Sequence, residues 1–184
     1  MFRAMRRTKC ELKRETAEKI LREGIFGILA LSGDENYSYA VPINYAYADG
    51  KIYFHSAKTG HKIDAMKKNP NVSFCVVDMH KVIAEEFTSY YTSAIAFGKI
   101  KIVEDNDDPD KILGLKLLAE KYSPNESIEN RDKEIYGKLN ALVVPVLEIE
   151  HLTGKAAREL VRDGKISWNF FDILKIEILR QIFL

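Results

Sequence analysis

The segment of residues 55–62, HSAKTGHK, contains the densest group of side chains in the sequence that could bind an anion. Two hydroxyls, two cations and a glycine lie within it: Ser56, Thr59, Lys58, Lys62 and Gly60. A helix predicted to begin directly after the segment would add free N–H groups and a favourable dipole. This spacing is typical of a phosphate-binding loop, but an ordinary solvated turn fits it equally well. The GxxxxGK[ST] pattern that cradles nucleotide triphosphates is absent.

The histidines and cysteines do not form a recognisable metal or redox motif. The four histidines (His55, His61, His80 and His151) are scattered, and no pair has the i, i+4 spacing of a helical metal site. Cys10 and Cys75 fit neither a CxxC pattern nor a disulfide framework. Cys75 lies in the apolar run VSFCVV, where a thiol usually packs as a small hydrophobic group. We therefore expect no metal site.

Residues 39–57, immediately before the predicted anion loop, give the strongest hairpin signal in the chain. The Asp49–Gly50 pair lies between two alternating runs, as in a two-residue turn with positive φ at both positions. The alternation puts bulky side chains on one face of the first strand: Tyr39, Val41, Ile43, Tyr45 and Tyr47. The other face is mostly small, which would let a large flat ligand approach: Ala40, Pro42, Asn44, Ala46 and Ala48. Pro42 lacks an N–H, so it predicts an edge strand or a bulge.

The remaining patterns predict about six strands and three or four helices. The further strands are FGILALS, NVSFCVVD, SYYTSAIAFGKIKIVED and ALVVPVLEIEHLTG. The predicted helices follow Thr16 (ending at a left-handed Gly24), precede Pro70, start at Asp108–Pro109, and cover the region around Asn130 to Leu139. Hairpin-linked strands favour antiparallel pairing, and βαβ spacing is absent. We expect a mainly β protein with helices (α+β), arranged as a closed or nearly closed antiparallel barrel.

The size and charge of the chain exclude several classes of protein. With 184 residues, 46% of them hydrophobic and 30% charged, the chain suits one domain with a sizeable core. A net charge of +1 argues against a dedicated nucleic-acid binder. Neither a secretory signal nor an uncharged run of membrane-spanning length is visible, so a cytoplasmic location is expected.

The order and spacing of several motifs over about residues 25–105 resemble a known superfamily. The matching features are the VPINY strand, the DGKIYFHSA hairpin, GHK, the KKNPNVSF join and SAIAFGK, with LTGKA at residues 152–156 as a later match. The chain resembles the pyridoxamine 5′-phosphate oxidase-like flavin-binding superfamily, and within it the branch that contains the 5-nitroimidazole reductases.

This resemblance implies a six-stranded antiparallel split β-barrel of Greek-key type with flanking helices, formed by residues 1–163. It also implies a homodimer with flavin mononucleotide (FMN) at the subunit interface. Along the isoalloxazine or ribityl chain we expect Pro42, Ile43, Asn44 and Tyr45. Contacts to the flavin are also expected from His55, Ser56, Ala57 and Ser93, and contacts to its phosphate from His61 and Lys62. His55 is the best candidate for a proton donor near the flavin, although a positioning or packing role is at least as well supported.

The function favoured by the resemblance is a flavin-dependent oxidoreductase. It would reduce small aromatic or nitro-aromatic compounds with a nicotinamide donor, NAD(P)H. Three alternatives stay open: pyridoxamine phosphate oxidation, a non-enzymatic flavin-binding or redox-sensing module, and a different cofactor such as haem or a deazaflavin on the same barrel. Oxidation of pyridoxamine phosphate is less favoured, because no basic substrate-phosphate cluster can be placed near the chain end.

The last stretch, residues 164–184, departs from the family pattern. Apolar residues nearly surround a helix there, while four charges interrupt it: Asp172, Lys175, Glu177 and Arg180. Those charges make it a poor membrane span, and their balance argues against a surface anchor. We expect a helical tail packed on the domain or on a second subunit, because exposed hydrophobic surface of this extent invites aggregation.

Overall fold

A computed structural model describes residues 2–162 and shows an α+β fold built on one antiparallel sheet. Within that range the strands are β1 (Glu11–Leu12), β2 (Phe26–Ser32), β3 (Ser38–Asn44), β4 (Ala46–Ala48), β5 (Lys51–Tyr53), β6 (Ser56–Ala57), β7 (Asn71–Ile83), β8 (Thr88–Val103) and β9 (Leu142–Ala156). The helices are α1 (Arg14–Glu23), α2 (His61–Lys68), α3 (Pro109–Tyr122), α4 (Ile128–Lys138) and α5 (Arg158–Arg162). The predicted tail, residues 164–184, lies outside the described residues.

The sheet confirms the predicted architecture of a split antiparallel barrel with flanking helices. Its strand order is β3-β2-β7-β8-β9-β5-β4, with β1 and β6 paired to β9, and the path does not close between β3 and β4. Every pairing is antiparallel. The predicted hairpin run divides into the short strands β3 to β6, so the sheet has more strands than the six expected.

The break between β3 and β4 has a specific cause at Tyr45. Its backbone N–H donates to the Tyr122 hydroxyl at 2.9 Å, and the same hydroxyl lies 2.9 Å from the Tyr45 carbonyl. The Tyr122 hydroxyl also bonds the Ile25 carbonyl. Because the Tyr122 hydroxyl accepts from the Tyr45 N–H and shares its one proton between the two carbonyls, the chain can leave one strand and enter the next without a ladder partner at Tyr45.

The turns and helix ends agree with the sequence patterns in most places. Asp49 and Gly50 have φ of 46° and 78°, which confirms the hairpin turn. Asp108 accepts a hydrogen bond from the Asp110 N–H, with Pro109 at the first helical position, as predicted.

The prediction for α1 is right that the helix ends at Gly24, but wrong about its start and about the conformation of Gly24. The helix begins at Arg14 rather than after Thr16, and Gly24 has φ −60° instead of a left-handed conformation. Glycine is required at position 24 for space: a Cβ there would lie 2.5 Å from Val76 and 2.7 Å from the Tyr45 hydroxyl.

The two faces of β3 are those that the alternation predicts. Tyr39, Val41 and Ile43 pack against the main core, which also contains buried side chains of α1 and α2. The edge position of β3 suits Pro42, which lies opposite Ile28 on β2. One row of residues then crosses five strands in register, from β3 to β9: Pro42, Ile28, Cys75, Ile95 and Thr153. The small side of β3 is therefore continuous with the outer face of the sheet.

Candidate functional site

The predicted anion loop, residues 55–62, runs from a short strand into the start of a helix. Ser56 and Ala57 form β6, which pairs with Val143 and Leu142 at the start of β9. Gly60, with φ of 125°, precedes α2, and no atom lies within 4 Å of a Cβ placed on it. The first N–H groups of α2 have no acceptor inside the helix, so they are available to an anion. The loop therefore has the strand-to-helix geometry that the sequence predicts, and it is open to solvent at Gly60.

Ser56 supplies the clearest sign of a ligand at this loop. Its side chain is only 4% exposed, and its Oγ has no hydrogen-bond partner among the described residues. A buried hydroxyl without a partner costs free energy, about 1–3 kcal/mol. Because this Oγ has no exposed surface, an acceptor on the loop would bond it only after a local shift that exposes the hydroxyl.

Positive charge surrounds the loop. The pKa of His55 is lowered, first by desolvation and then by the charge of Lys62. The pKa of Lys111, a fully buried lysine of α3, is lowered by desolvation and then by the charge of Lys58. Lys111 donates to the Glu104 carbonyl at 2.8 Å and to Asn106 Oδ1 at 2.7 Å. The two loop lysines thus project a positive field onto their neighbours, and an anion would be attracted to it.

His61, predicted to reach the phosphate, is engaged with the turn between β2 and β3. Its ring stacks on Tyr39 with centroids 4.2 Å apart, and its Nε2 lies 3.3 Å from Asp34 Oδ2. These contacts fix the start of α2 against the edge strand. Sequence reasoning missed Asp34 and Tyr39 as positioning residues, because only the fold brings the GDEN turn to α2.

The predicted flavin contacts on β3 divide between surface and core. Pro42 and Asn44 are exposed on the outer face, and Ile43 is half-buried with its side chain against the core. Tyr45 has no exposed surface, so its side chain cannot contact a ligand in this conformation. It is a core residue whose ring packs on Phe74 at 4.7 Å and under Lys121 Nζ at 4.0 Å.

Lys121 is itself unusual among the lysines that the structure describes. Burial lowers its pKa to about 8, and its Nζ donates to the Gly24 carbonyl at 2.6 Å. Together with the Tyr122 hydroxyl, it ties the end of α3 to the segments on either side of β2 and β3. Lys121 and Tyr122 therefore hold the backbone just before β2 and just after β3.

Ser93 lies far from the loop within one chain. It faces Val77 of β7 and Lys155 of β9. Ser56 faces Val143 at the other end of β9. The strand between Val143 and Lys155 has a contour length of about 40 Å at ~3.3 Å per residue. Ser93 and the loop are therefore paired with opposite ends of β9.

Two further findings bear on the kind of site. Within residues 2–162, His, Cys, Asp and Glu side chains do not gather in any group of three that could hold a metal ion. None of the helices in the same range is both long enough and apolar enough to cross a membrane.

The fold is that of a split antiparallel barrel with a loop that leads from a strand into a helix. The sequence matches the pyridoxamine 5′-phosphate oxidase family over residues 13–156, and the chain belongs to that family. A search of curated proteins found no match.

Solved structures share the fold at low sequence identity. One, provisionally assigned as a 5-nitroimidazole antibiotic resistance protein from Bacteroides thetaiotaomicron, is 21% identical with a TM-score of 0.66, covering 79% of this chain and 86% of its own. The conserved hypothetical protein Rv2991 from Mycobacterium tuberculosis is 17% identical with a TM-score of 0.72, covering 85% and 92%. An FAD- and haem-binding protein from Mycobacterium smegmatis is 19% identical with a TM-score of 0.64, covering 79% and 71%.

Proposed function

We propose that this chain is an FMN-binding flavoprotein that holds the flavin phosphate on the loop of residues 55–62. The observation that carries the proposal is the buried hydroxyl of Ser56, which has no hydrogen-bond partner in the described part of the chain. It lies on the strand that leads into an open glycine turn and a helix N-terminus. A phosphate at this point would accept from the first N–H groups of α2 and, after a local shift that exposes the Ser56 hydroxyl, from that group as well.

The charges and the exposed strand face fit the rest of the cofactor. Lys62 and Lys58 supply the positive charge that a phosphate dianion requires, and charge-assisted bonds of this kind are stronger than neutral ones. Pro42 and Asn44 present a small, exposed surface on the edge strand, which leaves room for a flat ring. When bound, the flavin supplies hydride and single-electron transfer, while the protein orients it and controls access to it.

The proposal includes a homodimer with a shared site. Ser93 and the loop are paired with opposite ends of β9, so the flavin contact that the family resemblance implies for Ser93 would come from a second copy of the chain. Half-exposed residues of β7 and β8, such as Cys75 and Ile95, continue the outer face on which that copy would pack. Burial raises the pKa of the Cys75 thiol, which favours packing over redox chemistry at that position.

The activity that we propose is reduction of small aromatic or nitro-aromatic compounds with a nicotinamide donor. His55 is the protein group best placed to bond the flavin or substrate. Because its pKa is lowered, the imidazole is neutral near pH 7 and offers one N–H, so positioning suits it better than proton donation from an imidazolium.

The test of the cofactor compares FMN with riboflavin, which lacks the phosphate. Lys62→Ala is expected to weaken FMN binding about ten- to a hundredfold while leaving riboflavin binding nearly unchanged, since one charge-assisted contact is lost. Fluorescence titration of the flavin-free protein measures both affinities. Lys68→Ala, an exposed lysine at the other end of α2, is the matched control and should leave both unchanged. Equal losses for the two flavins in the Lys62 variant would contradict the phosphate assignment.

A separate measurement addresses the activity. The FMN-loaded protein should be reduced by NADH or NADPH without oxygen, and it should consume a nitro-aromatic compound over many turnovers. A protein that binds FMN tightly but shows no turnover would instead favour a non-enzymatic flavin-binding module. Failure to bind FMN at all, with no yellow absorbance after loading, would overturn the cofactor proposal.

A further inference from the structure

The end of α3 takes the place of one rung in the ladder between β2 and β3. The last pair of that ladder is Phe26 with Asn44, so its register would next pair Ile25 with Tyr45. In the described chain the backbone does not form this rung, and the Tyr122 hydroxyl bonds both residues instead. It accepts from the Tyr45 N–H at 2.9 Å and shares its one proton between the two carbonyls. One side-chain oxygen thus fixes where β2 begins and where β3 ends.

Lys121 extends the same hold to the residue before Ile25. Its Nζ donates to the Gly24 carbonyl at 2.6 Å and lies 4.0 Å from the centre of the Tyr45 ring. That ring has no exposed surface and packs on Phe74. The backbone of Gly24 lies so close to it that a Cβ there would be 2.7 Å from the Tyr45 hydroxyl. The last turn of α3 and the core therefore hold this junction from two sides.

The side chains next to the junction are those that we propose to lie along the flavin ring. Asn44 directly precedes Tyr45, and it is exposed on the outer face of β3 together with Pro42. Successive side chains of an extended chain point to opposite faces, so holding the Tyr45 ring in the core holds Asn44 on the outside. A slip of one residue would reverse the two. The Tyr122 hydroxyl therefore governs which side chain the end of β3 presents.

We infer that Tyr122 is a positioning residue of the flavin site, acting through the backbone of Tyr45 on the side chain of Asn44. The inference rests on the proposed function and concerns the ring end of the cofactor rather than its phosphate. A binding group has to be held within about 0.5 Å of its productive position, and the groups behind it supply that precision. Tyr122 needs no contact with the flavin to do this.

The start of α3 is also tied to the sheet, and this second tie supplies a matched control. Asp110 accepts a hydrogen bond from the Tyr53 hydroxyl at 3.2 Å and another from Lys51 Nζ at 2.9 Å. Tyr53→Phe and Tyr122→Phe each remove one hydroxyl that links α3 to the sheet, at opposite ends of the helix. Of the two hydroxyls, only that of Tyr122 bonds the end of β3. Only its loss should therefore disturb the ring.

The test compares FMN, riboflavin and lumiflavin, the last of which has the ring system but neither ribityl chain nor phosphate. Fluorescence titration of the flavin-free full chain measures the three affinities. Tyr122→Phe is expected to weaken all three about three- to tenfold, the factor that corresponds to a lost neutral hydrogen bond. Tyr53→Phe should change each less than twofold. The ratio of FMN to riboflavin affinity should stay as in the parent, in contrast to the selective loss expected for Lys62→Ala.

Two further readouts separate positioning from a general loss of stability. In protein saturated with FMN, the visible circular dichroism bands of the flavin should change in Tyr122→Phe and match the parent in Tyr53→Phe. In flavin-free protein, hydrogen exchange followed by NMR should become about tenfold faster at the Tyr45 amide in Tyr122→Phe alone, because that amide loses its acceptor.

The outcomes distinguish this inference from the proposed function. Unchanged flavin affinities and unchanged visible bands in a folded Tyr122→Phe protein would overturn the inference and leave the proposed function standing. Equal losses in Tyr53→Phe would also overturn it, since stability alone would then explain them. A parent protein that binds none of the three flavins would overturn the proposed function and the inference with it. If Tyr122→Phe does not fold, Lys121→Met, which removes the donor to Gly24 but keeps an apolar stem, is measured against the same expectations.

Discussion

The two ends of β9 carry two cationic sites that are built in different ways. At the N-terminal end, the loop of residues 55–62 is contiguous in sequence and leads into a helix. At the C-terminal end, a cavity of about 780 Å³ collects side chains from three segments, residues 6–9, 88–91 and 155–161, and the cations on its wall are Arg6, Arg7, Lys9, Lys155 and Arg158. The loop offers backbone N–H groups and a buried hydroxyl, whereas the cavity offers cationic side chains from separate segments. The loop, on which we propose that a phosphate binds, is therefore shaped by its local backbone, whereas the cavity is shaped by the packing of remote segments.

This difference decides which of the two regions could be predicted from the sequence. A site made of neighbouring residues leaves a readable motif, since its spacing is set by the local backbone. A site made of remote segments leaves no motif, because its geometry exists only after the strands pair. Both regions depend on β9, which pairs with the loop at one end and forms a wall of the cavity at the other.

The largest effect is expected at Gly98, where a bulge in the β8–β9 pairing lies between the two ends. A Cβ at this position would lie 1.9 Å from the Glu148 carbonyl oxygen, a backbone atom that cannot move aside freely. Gly98→Ala should lower the free energy of unfolding by about 3 kcal/mol, as overpacking does. Denaturation in guanidinium chloride measures this loss, and weaker FMN binding should follow at the loop.

Gly137→Ala is the matched control for that change. Gly137 lies on the exposed side of α4, and nothing lies within 4 Å of an added Cβ. Alanine should therefore stabilise the protein by about 0.5–1 kcal/mol through helix propensity. A Gly98 variant as stable as the parent would show that the two ends of β9 are not held by the close pairing at the bulge.

A smaller effect of two opposite signs is expected at Ser56. Ser56→Ala removes a buried hydroxyl that lacks a partner, so the flavin-free protein should gain about 1 kcal/mol in free energy of unfolding. The same change removes a donor to the phosphate, so FMN affinity should fall about tenfold. Ser38→Ala, an exposed serine at the start of β3, controls for the loss of a hydroxyl. A less stable flavin-free protein with unaltered FMN affinity would make Ser56 a purely structural residue.

Much of the fold could be predicted because local chemistry dictates it. The Asp49–Gly50 turn, the Asp108 cap and the edge position of Pro42 each follow from one residue's backbone preference. The break at Tyr45 could not be predicted, since the Tyr122 hydroxyl that causes it lies 77 residues away. The same applies to the hold of Asp34 on His61, and to the burial of Tyr45, which alternation assigns to a face without saying what covers it.

The smallest effect is a change in the pKa of His55, and it tests whether the positive charge of Lys62 acts on the imidazole. Desolvation is the first cause of the lowered pKa and the charge of Lys62 the second. Lys62→Ala should therefore raise the pKa of His55 only part of the way towards its ordinary value of 6.5. A proton titration of the imidazole resonances by NMR, in flavin-free protein, measures this directly, with Lys68→Ala as the control.

The sign of the accompanying stability change follows from the same lowered pKa. The unfolded chain binds a proton at His55 more readily than the folded chain, so the free energy of unfolding falls as pH drops from the ordinary pKa through the lowered one. Above the ordinary pKa this contribution is fully present. In Lys62→Ala the loss on the acid side should shrink, because the folded and unfolded pKa values of His55 move closer together. An unchanged pKa of His55 in that variant would show that the Lys62 charge does not reach the imidazole, and the positive field of the loop would then rest on Lys58 and the start of α2.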